Sequence, residues 1–124
     1  MTKTKRWGER GDAEYEYYYA EYLGFKKVPA KTLKAISNHW IWSFYFLQEL
    51  HKRGLPIRKH IKMIEKIANS SIIHSEWLIN YLNYKNIPQV LIDKVSKSPL
   101  MGKPEIQRCV IEHNRKKKLE KLLT

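Results

Sequence analysis

The sequence predicts an all-α fold, a short right-handed stack of helical hairpins with an N-terminal covering helix. Three observations predict it: two long segments begin and end alike, apolar residues recur at helical spacing, and Gly or Asn followed by Pro separates the segments. Residues 36–56 read ISNHWIWSFYFLQELHKRGLP, and residues 67–88 read IANSSIIHSEWLINYLNYKNIP. One hairpin cannot bury both of its faces, so several neighbouring hairpins are expected to stack.

Two sets of marker residues recur together along the chain. The spacings are 31 and 28 residues for the first set and 32 and 28 for the second. The first set is Ile36, Ile67 and Val95, and the second is Gly54, Asn86 and Asn114. Apolar residues four and eight positions before each member of the second set predict one buried helical face. Gly or Asn after a helix tolerates the left-handed conformation that ends it, and a proline two residues later can begin the next helix.

These markers define the elements in order. Residues 1–10 are predicted to form a mobile basic arm, and residues 11–124 a single helical-repeat domain. A covering helix over 12–23 comes first and ends at Gly24. The predicted helices of the three repeats are 29–36 and 38–53, then 56–68 and 71–85, then 88–96 and 104–113, with a loop through Pro99 and Gly102 and a closing helix over 116–123.

Residues 87–114, IPQVLIDKVSKSPLMGKPEIQRCVIEHN, resemble one unit of the variant leucine-rich, HEAT-like helical repeats. The shared features are a first helix opened by proline, a Ser-Pro loop and a second helix that ends in Asn. The resemblance covers roughly residues 28–123, although repeat one carries an aromatic-rich second helix and repeat two lacks the loop proline. It implies a curved solenoid but no single activity, because such repeats serve as protein scaffolds, nucleic-acid binders and, in one branch, DNA glycosylases.

The glycosylase branch raises one catalytic candidate, Asp93. The chain has too few repeats to wrap a duplex as those enzymes do, and Asp93 lies beside Lys94 as surface residues do. There is no HExxH pattern, no Gly-rich phosphate loop and no Cys/His pairing with only one Cys. The sequence therefore predicts no enzyme, no metal site and no cofactor.

The charge of the chain favours a polyanionic partner. The 124 residues carry a formal net charge of +12. Residues 1–25 hold four basic and five acidic residues, so residues 26–124 carry +13. A charge this large favours nucleic acid, whereas the alternative is a solvated lysine-rich surface.

The basic residues divide into two classes. Lys52, Arg53, Lys85 and His113 fall in predicted last turns, where cations complement the helix dipole. A second class lies in or just before predicted first turns, where the dipole disfavours cations and a bound phosphate would relieve them. The predicted phosphate contacts are Lys31, Arg58, Lys59, Arg115, Lys116, Lys117 and Lys118, with Lys34, Lys62 and Lys66 extending the stripe and Lys3, Lys5 and Arg6 on the arm.

Aromatic residues provide a second candidate contact. Trp40, Phe44 and Tyr45 could stack on unpaired bases or anchor a protein, although core packing is the alternative. The covering helix carries a stripe of Tyr15, Tyr18, Tyr19 and Tyr22, with Tyr17 off it. The stripe is expected to cover the aromatic helix of repeat one. The acids Asp12, Glu14 and Glu16 are expected to stabilise the first turn of the covering helix.

The cysteine content and the hydropathy of the chain predict where the protein is found in the cell. One cysteine, Cys109, allows no intramolecular disulfide and is expected to be a small core residue in a reducing cytoplasm. No segment is apolar over the length that a membrane span needs, so no membrane partner is predicted. The predicted function is non-catalytic binding of DNA or RNA through the phosphate backbone, with weak sequence specificity. The alternative is a protein-interaction module, such as a phage- or plasmid-type inhibitor or adaptor acting on a host nucleoprotein complex; the oligomeric state stays open.

Overall fold

The computed structural model of this chain describes residues 13–123. Within that range all regular structure is helical and no residue is in a strand, which confirms the all-α class. The predicted basic arm and Asp12 lie outside the described residues. The elements are α1 (residues 13–22), α2 (Ala30–Ser37), α3 (Trp40–Lys52), α4 (Ile61–Ser70), α5 (Ile72–Tyr81), α6 (Gln89–Ser96), a 3-10 helix (Pro99–Gly102) and α7 (Pro104–Leu123).

The chain divides into two compact units, the first ending at Ile67 and the second beginning at Ala68. In the first unit α2 packs on α3. In the second unit α6 packs on α5, on α7 and on the 3-10 helix. The single helical-repeat domain and its HEAT-like stacking stay predictions.

The predicted apolar periodicity is confirmed by burial. The first marker set is fully buried, and so are the apolar positions that precede the second set. These buried residues are Ile36, Ile67, Val95, Phe46, Leu50, Leu78, Leu82, Ile106 and Val110. Helical spacing therefore identified the core faces of α2 to α7 from sequence alone.

The predicted helix ends are only partly right. Gly54 follows the C-cap of α3 and has a φ of +72°, as a residue that ends a helix in the left-handed conformation does. The predicted end at Lys85, just before Asn86, is wrong, because α5 ends at Tyr81 and Asn83 follows its C-cap with a φ of +57°.

The predicted end at Asn114 is wrong, because α7 runs on to Leu123 as one helix. Asn is only a weak helix breaker, and no proline follows Asn114 to stop the helix. Residues 115–118 therefore lie inside α7 and not at a helix start.

The start of α4 differs from the prediction as well. Pro56 was expected to begin this helix, but α4 begins at Ile61. The Ile57 carbonyl accepts the His60 amide at 3.1 Å, and the Ile57 side chain is buried. This anchored turn delays the helix by five residues and places Arg58 and Lys59 just before it.

The packing of α1 reverses the expectation for its tyrosines. Tyr17 is buried at 8% exposure, and its ring centroid lies 5.2 Å from that of Trp42 and 5.7 Å from that of Phe25. Ala13 and Ala20 share its face, so small residues let α1 approach its neighbours closely. The predicted stripe is exposed, and of its rings Tyr18 does contact the aromatic helix, with its centroid 5.9 Å from that of Trp42; the stripe consists of Tyr15, Tyr18, Tyr19 and Tyr22.

A stronger repeat than the predicted one has a period of 59 residues. Residues 13–22 of α1 match Ile72–Tyr81 of α5, and Ala30–Ser37 of α2 matches Gln89–Ser96 of α6, each at that offset. Between them lie the first loop (residues 23–29, LGFKKVP) and the second loop (residues 82–88, LNYKNIP). The serines that end α2 and α6 even bond alike, to the carbonyl three residues earlier.

Candidate nucleic-acid interface

Three of the predicted phosphate contacts line one open cavity in the first unit. Lys34 of α2, Lys59 of the preceding turn and Lys62 of α4 border a cavity of about 330 Å³, which we call the α2–α4 cleft. All three lysines are exposed. Lys31 lies one turn before Lys34, and Lys66 one turn after Lys62, both exposed. The structure thus brings together predicted contacts from two separate helices.

The α2–α4 cleft lacks neutralising charge within the described residues. None of its three lysines forms an ion pair with a described carboxylate, whereas Lys52 and Arg53 pair with Glu49. Neither α2 nor α4 has an acidic residue in its first turn. Burial, and then the charge of Lys59, lower the pKa of His60, which also lines the cleft. The arrangement is electropositive and favours an anionic ligand.

A second cavity, of about 450 Å³, adjoins the α2–α4 cleft. We call it the first-loop cavity, because Phe25, Lys26 and Lys27 of the first loop line it. It shares Leu33, Lys59 and His60 with the cleft. Sequence reasoning missed Lys26 and Lys27 as site residues. The signal that could have found them is the LGFKKVP pattern, which recurs as LNYKNIP.

The second unit carries a corresponding cavity of about 390 Å³ at the second loop. Tyr84 and Lys85 line this second-loop cavity, together with Arg115 and Lys116 of α7. The Lys116 Nζ donates to Asn86 Oδ1 at 2.7 Å. Arg115 and Lys116 thus line the second-loop cavity and do not lie at the predicted helix start.

The rest of the basic run on α7 has other surroundings. Lys117 Nζ donates to Gln89 Oε1 at 3.3 Å, and His113 Nε2 lies 2.8 Å from the same oxygen. Lys118 is exposed. Gln89 is the first residue of α6, so the hydrogen bond from Lys117 connects the basic run to the start of that helix.

The aromatic candidates divide into core and surface. Phe44 is 1% exposed, so its proposed contact with a ligand is wrong; the ring fills the core because helix α3 is apolar on more than one side. Tyr45 is 40% exposed, and its ring centroid lies 5.5 Å from that of Trp42. Trp40 is half-buried. Tyr45 and Trp40 remain candidates.

Other predicted positions have structural partners. Glu16 Oε1 accepts a hydrogen bond from the buried Thr32 Oγ1 at 2.7 Å, which joins α1 to α2. Exposed Asp93 accepts from Gln89 Nε2 at 2.7 Å. Cys109 is buried, and burial raises the pKa of its thiol.

The described residues form neither a metal-binding cluster nor a membrane-spanning helix. Across residues 13–123, no three His, Cys, Asp or Glu side chains come together as ligands for a metal ion. In the same part of the chain, no helix has both the length and the apolar character needed to cross a bilayer.

Comparison with protein-family models, with curated proteins and with solved structures finds no match to this chain. The resemblance to HEAT-like repeats therefore stays a prediction.

Proposed function

We propose that this chain is a non-catalytic nucleic-acid-binding protein that contacts the phosphate backbone through the α2–α4 cleft. One observation carries the proposal: Lys34, Lys59 and Lys62 line one cavity and have no ion-pair partner among the described carboxylates. Contacts to phosphate oxygens carry no sequence information directly, so sequence specificity is weak.

The electrostatics of the two helices support this proposal. A cation in the first turn of a helix is disfavoured by about 0.3–1 kcal/mol, and both α2 and α4 carry a lysine and no acid in the first turn. Lys31 is the second residue of α2, and Lys62 the second residue of α4. A bound phosphate offsets both unfavourable interactions, because it is attracted to the lysines and to the free amides of the helix start.

Further predicted contacts extend this proposal. Lys3, Lys5 and Arg6 lie outside the described residues and add positive charge at the N-terminal end. Arg58 and Lys66 lie next to the cleft in sequence, and Lys117 and Lys118 lie on α7. A right-handed HEAT-like stack of the hairpins would bring these cations into one row, and it forms part of the proposal.

One observation favours a second function, a protein-interaction module. Exposed rings cover one side of α1, and Tyr45 of α3 is exposed as well. Tyrosine is enriched at protein interfaces, where its ring is buried and its hydroxyl stays polar. On this alternative the chain inhibits or adapts a nucleoprotein complex and does not bind the nucleic acid itself.

Fluorescence anisotropy with labelled DNA and RNA tests the proposed function. The variant Lys59→Glu with Lys62→Glu reverses two cleft charges and is expected to weaken binding at least about tenfold, because two charge-assisted contacts are lost. Lys94→Glu with Lys97→Glu is the matched control. Both control residues are exposed, and the change in net charge is the same.

The control separates a site from a general charge effect. Equal losses in the two double variants would mean that only net charge matters. Full binding in the cleft variant would reject the cleft as the binding site. No binding of DNA or RNA by the unaltered protein would favour the protein-interaction module.

A further inference from the structure

The two loops have the same backbone conformation. Gly24, Phe25 and Lys27 have positive φ in the first loop, and Asn83, Tyr84 and Asn86 have positive φ at the same three positions of the second. Positive φ is uncommon outside glycine, so a shared set of three is a specific match.

The hydrogen bonds of the loops match as well. The Phe25 amide donates to the Ala20 carbonyl at 2.8 Å, and the Tyr84 amide donates to the Ile79 carbonyl at 3.1 Å. In both cases the bond spans five residues and closes the preceding helix, as in a Schellman motif. Pro29 and Pro88 then stand at the N-cap positions just before α2 and α6, and neither helix has a side-chain cap.

Each loop lines an open cavity with an aromatic side chain followed by a lysine. Phe25 and Lys26 line the first-loop cavity, and Tyr84 and Lys85 line the second-loop cavity. Each cavity also receives a cation from another segment of its own unit, which is Lys59 in the first and Lys116 in the second. The first has three lysines on its lining and no acid, and the second has three cations against Glu112.

We propose that the first-loop and second-loop cavities are two equivalent phosphate-binding sites, with Lys26 and Lys85 in the same role. In each site the loop lysine and the cation from the other segment hold one phosphate group between them. The inference rests on the proposed function in one respect: the phosphates come from the backbone of the bound nucleic acid.

The backbone of the first loop adds donors to its site. Among residues 13–123, no acceptor receives the amides of Lys26, Lys27 or Val28. In the second loop the Ile87 amide, which matches Val28, likewise has no acceptor in the described chain. Successive amides in turns where left-handed and right-handed residues alternate form concavities that bind anions.

The two sites differ in how they are held. Asn86 replaces Lys27 in the second loop, and its side-chain oxygen already accepts from Lys116. In the first site Arg53 lies over the Phe25 ring, with its guanidinium carbon 4.9 Å from the ring centroid. The second loop therefore lacks the cation that Lys27 provides in the first, and α7 contributes Lys116, which a hydrogen bond holds in place. Three positive side chains line each cavity.

A titration followed by two-dimensional ¹H–¹⁵N NMR tests this proposal, with inorganic pyrophosphate as the probe. Amide signals of residues 24–28 and 83–87 are expected to shift together. Lys26→Glu should lower the affinity of the first site about tenfold and leave the second unchanged, and Lys85→Glu should do the reverse, because each removes one charge-assisted contact. The unaltered loop reports in each variant that the protein is folded.

Lys94→Glu is the matched control, since Lys94 is exposed and lines neither cavity. Shifts in one loop alone, shifts in neither, or an equal loss in the control would each overturn the proposal. A second arm repeats the titration with single-stranded DNA, which distinguishes nucleic-acid phosphates from free phosphate. If the loops bind pyrophosphate but the protein does not bind DNA or RNA, the proposed function is refuted and the phosphate sites stand. DNA binding that neither loop variant weakens would refute the loop sites as contacts to nucleic acid and leave the proposed function standing.

Discussion

The first and second loops have the same backbone conformation, but different interactions stabilise it in each. In the first loop Phe25 is 4% exposed and packs against Tyr17 and Phe46, with ring centroids 5.7 Å and 5.6 Å away. In the second loop the matching ring, Tyr84, is only half-buried, and a polar bond from Lys116 to Asn86 holds the loop. The same left-handed turn is therefore stabilised by packing in one unit and by side-chain hydrogen bonding in the other.

The largest expected effect is a loss of stability when the packed ring of the first loop is removed. Phe25→Ala should lower the free energy of unfolding by about 3–5 kcal/mol, because a buried ring is replaced by a cavity. Tyr84→Ala should cost about half as much or less, because its ring already contacts solvent. Urea denaturation of both variants measures the difference. Equal losses would show that the two loops are supported alike.

Alkaline pH tests the packing around the first loop in a second way. Burial raises the pKa of Tyr17 to about 12, with Glu49 and Glu21 adding to the shift. Between about pH 10 and pH 12 the unfolded chain loses this proton while the folded chain keeps it, so stability falls as pH rises. The stability lost over this pH range is about 2–3 kcal/mol.

The control for this effect is Tyr17→Phe, which removes the ionisable group and keeps the ring. Its free energy of unfolding should decline less than that of the unaltered protein between pH 10 and pH 12, as measured by denaturation at fixed pH values. Parallel declines for the two proteins would mean that Tyr17 ionises as easily in the folded state.

Backbone strain is expected to distinguish the two residues that open the loops. Gly24 has a φ of +72°, and a Cβ there would meet no atom within 4 Å. Gly24→Ala should therefore cost about 1–2 kcal/mol through conformation alone. Gly24→Asn copies Asn83 of the second loop and should cost less, because Asn tolerates the left-handed region. A thermal melt of the two variants decides this, and equal melting temperatures would contradict it.

The smallest effect separates stability from binding. Lys62→Glu places an acid in the first turn of α4 and should raise stability by about 0.3–1 kcal/mol while weakening nucleic-acid binding. Glu105→Lys is the mirror change in α7, whose first turn does carry an acid, and it should lower stability by a similar amount. Denaturation and anisotropy together make the comparison. A Lys62→Glu protein that is less stable would show that Lys62 has a structural role.

Much of the fold could be predicted because the apolar spacing records which helical face is buried. Phe46 and Leu50 lie in the core as expected, and α2 and α6 each begin one residue after the predicted proline. The stop at Asn114 could not be predicted reliably, since Asn is compatible with both a helix interior and a helix end. The inward tyrosine of α1 was missed because Ala13 and Ala20, which flank it on the same face, are small and give a weak apolar signal.

The candidate site was predicted less completely than the fold. Lys59 was singled out by its position at an expected helix start, and Lys34 and Lys62 as extensions of that basic stripe along the helices; all three line one cavity. Lys26 was not, because a lysine in a loop has no periodicity to mark it, and Lys85 was assigned to the last turn of a helix that ends at Tyr81. The left-handed residues around them, together with the related segments LGFKKVP and LNYKNIP, show that the two lysines occupy the same position.

The salt dependence of DNA binding tests the central claim most directly. If phosphates contact Lys34, Lys59 and Lys62, the logarithm of the association constant falls against the logarithm of salt concentration with a slope of at least about 2–3 between about 50 mM and 200 mM salt. The Lys59→Glu and Lys62→Glu double variant should then lose roughly 1.5–2 from that slope. An affinity that does not change with salt would contradict phosphate contact by this protein.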